Sequence, residues 1–178
     1  MQQPAPLTLA AVNALDLDGF VARFGGIAED AAWLAATVAA ARPFADVDTV
    51  VAAFHDAFDA LDAARLRTII LQHPDLAGRL ARVGRLSAES TAEQAGIGLD
   101  RLSDEEYERF SALNRTYTSK FGFPFIAAVR AHTRETLIAA FEARVEHTAE
   151  VEFKTACGEV RKIMEFRLRD LVVGSSVV

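Results

Sequence analysis

The stretch EVEFKTACGEVRKIMEFRLRDLV, residues 150–172, decides the fold class because it carries an apolar stripe at helical spacing. The stripe consists of Phe153, Ala156, Val160, Ile163, Met164, Leu168 and Leu171. Apolar residues that recur every three or four positions indicate a helix with one buried face. We therefore predict a long final helix from about Glu150 to Val172.

Similar patterns and helix-ending residues recur along the rest of the chain. They predict helices over 16–24, 30–41, 48–61, 62–72, from Ser87 to before Gly96, from Ser103 to about 120, and over 133–145. Ser103 and Glu106 match a capping box. Only residues 125–129 could pass for a strand, and they have no obvious partner. We predict one all-α domain, a compact multi-helix bundle over residues 1–178 with an ordered core at about 15–172.

Composition limits the function classes. With 178 residues, 51% of them hydrophobic, the chain suits one continuous core. The net charge is −6 without a basic block, so we expect no nucleic-acid partner and no anionic membrane partner. No apolar run is long enough for a bilayer, and Met1–Pro6 lacks the features of a secretion signal. The C-terminus also lacks a peroxisomal address, so cytoplasm is the expected location.

Motifs for cofactor chemistry are absent from the sequence. It contains no His-Glu-x-x-His pair, P-loop, Gly-x-Ser-x-Gly elbow or dinucleotide fingerprint. Cys157 is the single cysteine, which excludes an internal disulfide and a Cys-rich metal site, and we expect a buried, inert thiol there. An enzyme with this sequence is expected to use side chains alone, with no metal and no organic cofactor.

Of the four histidines, His73 differs because it stands just before Pro74 at a predicted helix end. The residue before proline avoids the α region, so the His73 ring can be directed into a cleft. His55 is expected to be structural or exposed, and His132 and His147 are expected at the surface. By position alone, a structural or surface role for His73 stays open beside a functional one.

A second candidate set lies on one predicted helix face. Ser90, Glu93 and Gln94 are three and four positions apart, and they offer a hydroxyl, a carboxylate and an amide. Position alone favours a capping box, whereas a grip on a polar heterocycle is the alternative. The apolar run 123–125 suggests core more than site. For Arg130 an anion ligand and a surface charge are equally open.

A series of short motifs, taken together, resembles the family of decarboxylases that act on 2-oxo-4-hydroxy-4-carboxy-5-ureidoimidazoline (OHCU). In chain order the motifs are Arg42-Pro43-Phe44, HPDLA at 73–77, ESTAEQ at 89–94, GLD at 98–100, Leu113-Asn114-x-x-Tyr117, FGFPF at 121–125 and RLxDL at 167–171. Each motif alone is weak, but their order and spacing are specific. The resemblance extends from about Leu15 to Val172.

The resemblance implies an all-helical, often dimeric protein that converts OHCU to (S)-allantoin and CO2 without a cofactor, in uric acid degradation. His73 matches the family's catalytic histidine, the proton donor, and Glu93 is the expected polar partner. The matched substrate-binding positions are Pro74, Ser90, Thr91, Ala92, Glu93, Gln94, Phe125, Ile126, Ala127, Ala128 and Val129. We add Arg130 to this set as a group that orients the substrate.

One departure from the family pattern lies between Glu29 and Trp33. The family usually has His, Ser and Pro there, whereas this chain has Asp30-Ala31-Ala32. The departure concerns the start of a helix more than the chemistry. Two alternatives remain: a decarboxylase of a related ureido-heterocycle, and a non-catalytic helical ligand-binding module with the same fold.

Overall fold

A computed structural model describes residues 5–75 and 103–174. These residues form eight α-helices, one 3-10 turn and two strands of two residues each. The helices are α1 (Leu9–Ala14), α2 (Leu17–Phe24), α3 (Ala32–Ala39), α4 (Val47–Asp59), α5 (Ala63–Gln72), α6 (Asp104–Phe121), α7 (Arg134–Val145) and α8 (Ala149–Leu171). The all-α prediction is confirmed. The helix predicted from Ser87 lies outside the described residues.

The chain divides into two compact units. One contains residues 4–72 and 161–178, and we call it the terminal unit; the other contains residues 1–3 and 73–160, and we call it the central unit. Helix α8 contributes its first part to the central unit and its last part to the terminal unit. The single domain over residues 1–178 stays a prediction.

The terminal unit is built around an aromatic cluster. Phe20 and Phe24 lie one turn apart on α2, and their ring centroids are 4.6 Å apart. The Phe54 ring of α4 stacks on Phe20 at 6.3 Å. Asn13 fixes the loop before α4, because its side chain both donates to the Phe44 carbonyl and accepts from the Phe44 N–H. The strands β1 (Leu7–Thr8) and β2 (Val172–Val173) pair in parallel in this unit.

Helix α3 begins without a side-chain cap. Its N-cap residue is Ala31, which offers no acceptor, and the helix starts two residues later than predicted, at Ala32. Glu29, just before it, has a φ of 58°, an unfavourable region for a residue with a side chain. The Glu29 carboxylate accepts a hydrogen bond of 2.8 Å from Arg167 Nη2, which holds this turn. The Asp30-Ala31-Ala32 departure therefore falls on an uncapped helix start, as the sequence suggested.

The central unit contains α6 and α7, which pack through aromatic rings. Phe110 and Tyr117 of α6 lie 5.1 Å and 5.6 Å from the Phe141 ring of α7, measured between centroids. Ser103 and Glu106 form the predicted capping box at the start of α6. Gly122 ends the helix with a φ of 71°, a conformation that glycine adopts without strain.

One open point of the sequence is decided here, and one prediction is corrected. Residues 125–129, the stretch that could have passed for a strand, are irregular and end in a 3-10 turn, Val129–Ala131. Cys157 is half-buried, not buried, because its position on α8 falls beside the apolar stripe. Within the described ranges, no helix combines the length and the apolar character needed to cross a bilayer.

The capping box gives a test of the α6 start. Ser103→Ala removes the acceptor for the Glu106 N–H, so we expect the free energy of unfolding to fall by about 1 kcal/mol in urea titrations. Ser119→Ala, in the exposed interior of the same helix, is the matched control, and we expect no destabilisation because alanine favours helix interiors. Equal losses in the two variants would contradict the capping role.

Candidate functional site

His73 is a buried side chain at the first position after α5. It is 5% exposed, whereas Leu71 and Gln72 immediately before it are exposed. Pro74 keeps His73 out of the helical region, so the chain turns away at this point and the imidazole becomes buried instead of continuing the helix surface. The burial of His73 is compatible with both roles left open by the sequence, a structural one and a functional one.

A hydrogen bond to α6 fixes the turn that carries His73. The Asn114 side-chain amide of α6 donates a hydrogen bond of 2.9 Å to the Asp75 carboxylate. Both side chains are half-buried. The bond ties the His73-Pro74-Asp75 turn to α6, which restricts where the imidazole can lie. The sequence had shown Asp75 and Asn114 only as members of separate motifs.

Residues 125–129 are the second part of the candidate site, and all five are buried. The Phe125 ring stacks on Phe141 with centroids 3.7 Å apart and an interplanar angle of 15°. Pro124 restricts the backbone that leads into the segment. Phe123 and Phe125 are core residues, as the sequence indicated, and they also anchor the backbone that follows.

The backbone of this segment has an unusual pattern of hydrogen bonds. Arg144 Nη1 donates to the Ile126 carbonyl at 2.7 Å, and the Ala128 N–H donates to Glu159 Oε2 at 2.7 Å. Among the described residues, the N–H groups of Ile126 and Ala127 have no acceptor, although these residues are only 3% and 8% exposed. Because a buried N–H without an acceptor is costly, these two groups are suited to bind the oxygens of a ligand.

A buried carboxylate supports Arg144. Glu152 is 0% exposed, and its Oε1 accepts from Arg144 Nε at 2.9 Å and from Nη2 at 2.6 Å. The Tyr117 hydroxyl donates to the same oxygen. Burial raises the pKa of the Tyr117 phenol far above its usual range, and the hydrogen bond to Glu152 adds to the shift, so Tyr117 stays a neutral donor.

His147, which the sequence placed at the surface, is half-buried. His147 Nδ1 lies 2.8 Å from Glu152 Oε2, and its side chain is 31% exposed. The buried carboxylate draws the ring inward, an attraction that the surrounding charged sequence does not reveal. His55 is half-buried, with Nε2 3.1 Å from the Arg161 carbonyl, which agrees with a structural role.

The remaining predicted residues divide into two groups. Arg130 is exposed, on the 3-10 turn that follows the buried segment. Ser90, Thr91, Ala92, Glu93 and Gln94 lie outside the described residues. In residues 5–75 and 103–174, no group of three or more His, Cys, Asp or Glu side chains is placed to hold a metal ion.

Sequence reasoning missed Arg144, Glu152 and Glu159, although α8 carries a signal for two of them. Glu152 and Glu159 are seven positions apart and flank the buried Ala156, so both fall on the apolar face of the helix. An acidic residue inside an apolar stripe needs a buried partner. That signal predicts a buried polar contact, but it does not identify the partner.

This chain is similar in sequence to known proteins over most of its length. The family model described as OHCU decarboxylase matches residues 13–169. A 2-oxo-4-hydroxy-4-carboxy-5-ureidoimidazoline decarboxylase of Haloferax volcanii is 41% identical over 92% of this chain and 95% of its own length. The Mus musculus protein of the same name is 39% identical over 93% of both chains.

Two solved structures have a similar fold. A crystal structure of (S)-allantoin synthase matches 93% of this chain with a TM-score of 0.73 and 29% identity, and the chain spans about half, 54%, of that protein. The crystal structure of an OHCU decarboxylase in the presence of (S)-allantoin has a TM-score of 0.65 over 81% of this chain. At 19% identity, this second match supports the fold alone.

The Glu152 contacts give a test of how much the buried polar cluster stabilises the fold. Glu152→Gln leaves Arg144 buried without its carboxylate, and we expect the free energy of unfolding to fall by about 3–5 kcal/mol. Glu142→Gln breaks the exposed pair with Arg109 and is the matched control, with a loss below about 1 kcal/mol. Urea denaturation measures both variants, and a Glu152→Gln loss no larger than the control would contradict the assignment.

Proposed function

The chain belongs to the OHCU decarboxylase family, as its motifs predicted, and we propose on this premise that it converts OHCU to (S)-allantoin and CO2 in uric acid degradation. It is accordingly a carboxy-lyase. The observation that carries the proposal is the buried segment 125–129, where the N–H groups of Ile126 and Ala127 have no acceptor among the described residues. These are the positions that the resemblance assigns to substrate binding.

The chemistry of the substrate explains why no cofactor is required. Its carboxylate is attached to a carbon next to a C=N bond. When the C–C bond to the carboxylate breaks, CO2 leaves and the electron pair moves into the imine. The substrate thus contains its own electron sink, and we propose that neither a metal nor an organic cofactor takes part.

Protonation of the resulting enol-like intermediate fixes the handedness of the product. We assign this proton transfer to His73, because a held imidazole can deliver a proton to one face near neutral pH. Glu93 is its proposed partner, which orients the substrate hydroxyl or holds the His73 proton. The family resemblance also assigns substrate binding to Pro74, Thr91 and Ala92. We propose that the side chains of Ser90 and Gln94 bind the ring of the substrate.

Backbone N–H groups supply the proposed electrostatic stabilisation. The Ile126 and Ala127 N–H groups would bind ring or ureido oxygens, which gain negative charge as CO2 departs. A cation placed on the carboxylate would instead stabilise the ground state and slow its loss. We therefore assign to Arg130 an orienting role at the edge of the site, which agrees with its exposure.

The central experiment compares wild-type protein with buffer on freshly generated OHCU, after dialysis of the protein against a chelator. Acceleration with formation of optically active allantoin supports the function and its independence of metal. Preference for another ureido-heterocycle would shift the substrate assignment. Ligand binding without turnover would favour a non-catalytic module.

In the same assay, His73→Asn should lower the rate by at least about a hundredfold, because general acid catalysis supplies about 10²–10⁴-fold. His132→Asn is the matched control: this half-buried ring lies within hydrogen-bond distance of Thr136 and has no assigned role in the site, so its loss should leave the rate unchanged. Glu93→Gln keeps the shape without the charge and should also lose activity, whereas Glu105→Gln on exposed α6 surface should not. Near wild-type rates in both site variants would refute the assignment.

We further propose a cytoplasmic homodimer, on the family resemblance and on the expectation from the sequence. The subunit mass is 19.3 kDa, so a dimer sediments with about twice that mass. Analytical ultracentrifugation at micromolar concentration measures it. A single species at the subunit mass would overturn the dimer without affecting the proposed reaction.

A further inference from the structure

We propose that Arg144 and Glu159 are positioning residues that set the direction and the strength of the Ala127 N–H as a donor to the substrate. This inference rests on the proposed function, since it needs the segment 125–129 to bind substrate. Neither side chain is assigned a contact with substrate. Their action passes through the backbone that they hold.

The geometry of the peptide unit links Arg144 to the Ala127 N–H. The Ile126 carbonyl and the Ala127 N–H belong to one planar peptide, and this peptide is trans. Arg144 Nη1 binds the carbonyl oxygen at 2.7 Å. Since the N–H of a trans peptide points opposite to its C=O, fixing the oxygen also fixes the direction of the N–H.

The charge of Arg144 also acts on the strength of the donor. A cation on the carbonyl oxygen withdraws electrons from the peptide, which makes its N–H a stronger donor. In a buried segment this polarisation is not screened by water. The Ala127 N–H is therefore suited to an oxygen that gains charge during the reaction more than to a neutral one.

Glu159 holds the next peptide. Its Oε2 accepts from the Ala128 N–H at 2.7 Å, so the two peptides on either side of the Ala127 α-carbon are each fixed by a charged side chain. Two fixed peptide planes leave little freedom at the φ and ψ of Ala127. The pair thus prevents the Ala127 N–H from turning away when the site is empty.

Hydrogen bonds from three of its nitrogen atoms fix the orientation of the Arg144 side chain. Its Nε and Nη2 atoms bind Glu152, which leaves Nη1 for Ile126, and its guanidinium lies 4.5 Å from the centroid of the Phe125 ring. Burying these charges is expensive, and replacing a buried ion pair by apolar residues of similar volume is often neutral or stabilising. Core packing alone therefore does not explain why Arg144 and Glu152 are charged, whereas a role in orienting the Ala127 N–H does.

The test uses a pair of substitutions at Glu159. Glu159→Gln keeps an oxygen that accepts from the Ala128 N–H, whereas Glu159→Leu keeps the volume and loses the acceptor. Both are measured well below their thermal unfolding midpoints, so that rates refer to folded protein. We expect Glu159→Leu to lower kcat by about tenfold or more and Glu159→Gln by less than about threefold, since the lost interaction strengthens in the transition state.

Arg144→Lys is an independent variant. Lysine keeps the positive charge beside Glu152, but its single ammonium lacks the fork that binds Glu152 and Ile126 together. We expect kcat to fall as in Glu159→Leu, with a smaller change in KM. Equal kcat values in wild type, Glu159→Leu and Arg144→Lys would overturn the proposal, because a merely structural role lowers stability and leaves the rate of folded protein intact.

Amide hydrogen exchange at Ala127 gives a readout that does not depend on activity. Faster exchange in Glu159→Leu than in Glu159→Gln supports the proposal, and equal exchange overturns it. If wild-type protein fails to accelerate OHCU decay, the proposed function is refuted, and the positioning role toward that substrate falls with it. An active wild type with unaffected variants refutes the positioning role alone.

Discussion

The buried carboxylate of Glu152 is the contact on which the central unit depends. It joins three helices, because Tyr117 of α6, Arg144 of α7 and His147 after α7 all meet this one side chain of α8. A lone carboxylate at 0% exposure would be prohibitively costly, so the partners are as necessary as the charge itself. Through Arg144 the same contact reaches the Ile126 carbonyl. The packing of helices and the conformation of the candidate site therefore have a common origin.

The parts of the fold that could be predicted are those controlled by neighbouring residues. The capping box of Ser103 and Glu106, and the stripe of α8, depend on contacts within a turn or two, and both were predicted to within a residue or two. Helix α1 was missed because six residues carry too little periodicity. Residues 125–129 were the only candidate strand because a short apolar run is compatible with several buried conformations. The hydrogen bonds of Arg144 to the Ile126 carbonyl and of Glu159 to the Ala128 N–H decide among these conformations. The two partners in these bonds are 18 and 31 positions apart in the chain.

In the candidate site too, features controlled by neighbouring residues could be predicted, whereas those that depend on distant residues could not. His73 stood out locally, because Pro74 follows it, and the structure shows that it is buried. The proposed substrate-binding positions at 125–129 came from the family resemblance, since nothing in an apolar run indicates which N–H groups will have no acceptor. Arg144, Glu152 and Glu159 were missed because each looks like an ordinary charged residue on a helix. Only the seven-residue spacing of the two glutamates on an apolar face carried a signal.

An all-α fold places a particular constraint on recognition by backbone groups. Helices consume their own N–H groups, so donors for a ligand must come from helix starts or from irregular segments. An irregular segment can be buried only if its remaining polar groups find partners, and here charged side chains supply them for the Ile126 carbonyl and the Ala128 N–H. Within residues 5–75 and 103–174, the N–H groups of Ile126 and Ala127 have no acceptor, although both residues are buried. Buried charged side chains on α7 and α8 thus satisfy the Ile126 carbonyl and the Ala128 N–H, which allows a segment that keeps backbone donors for the proposed substrate to lie in the interior of a helical unit.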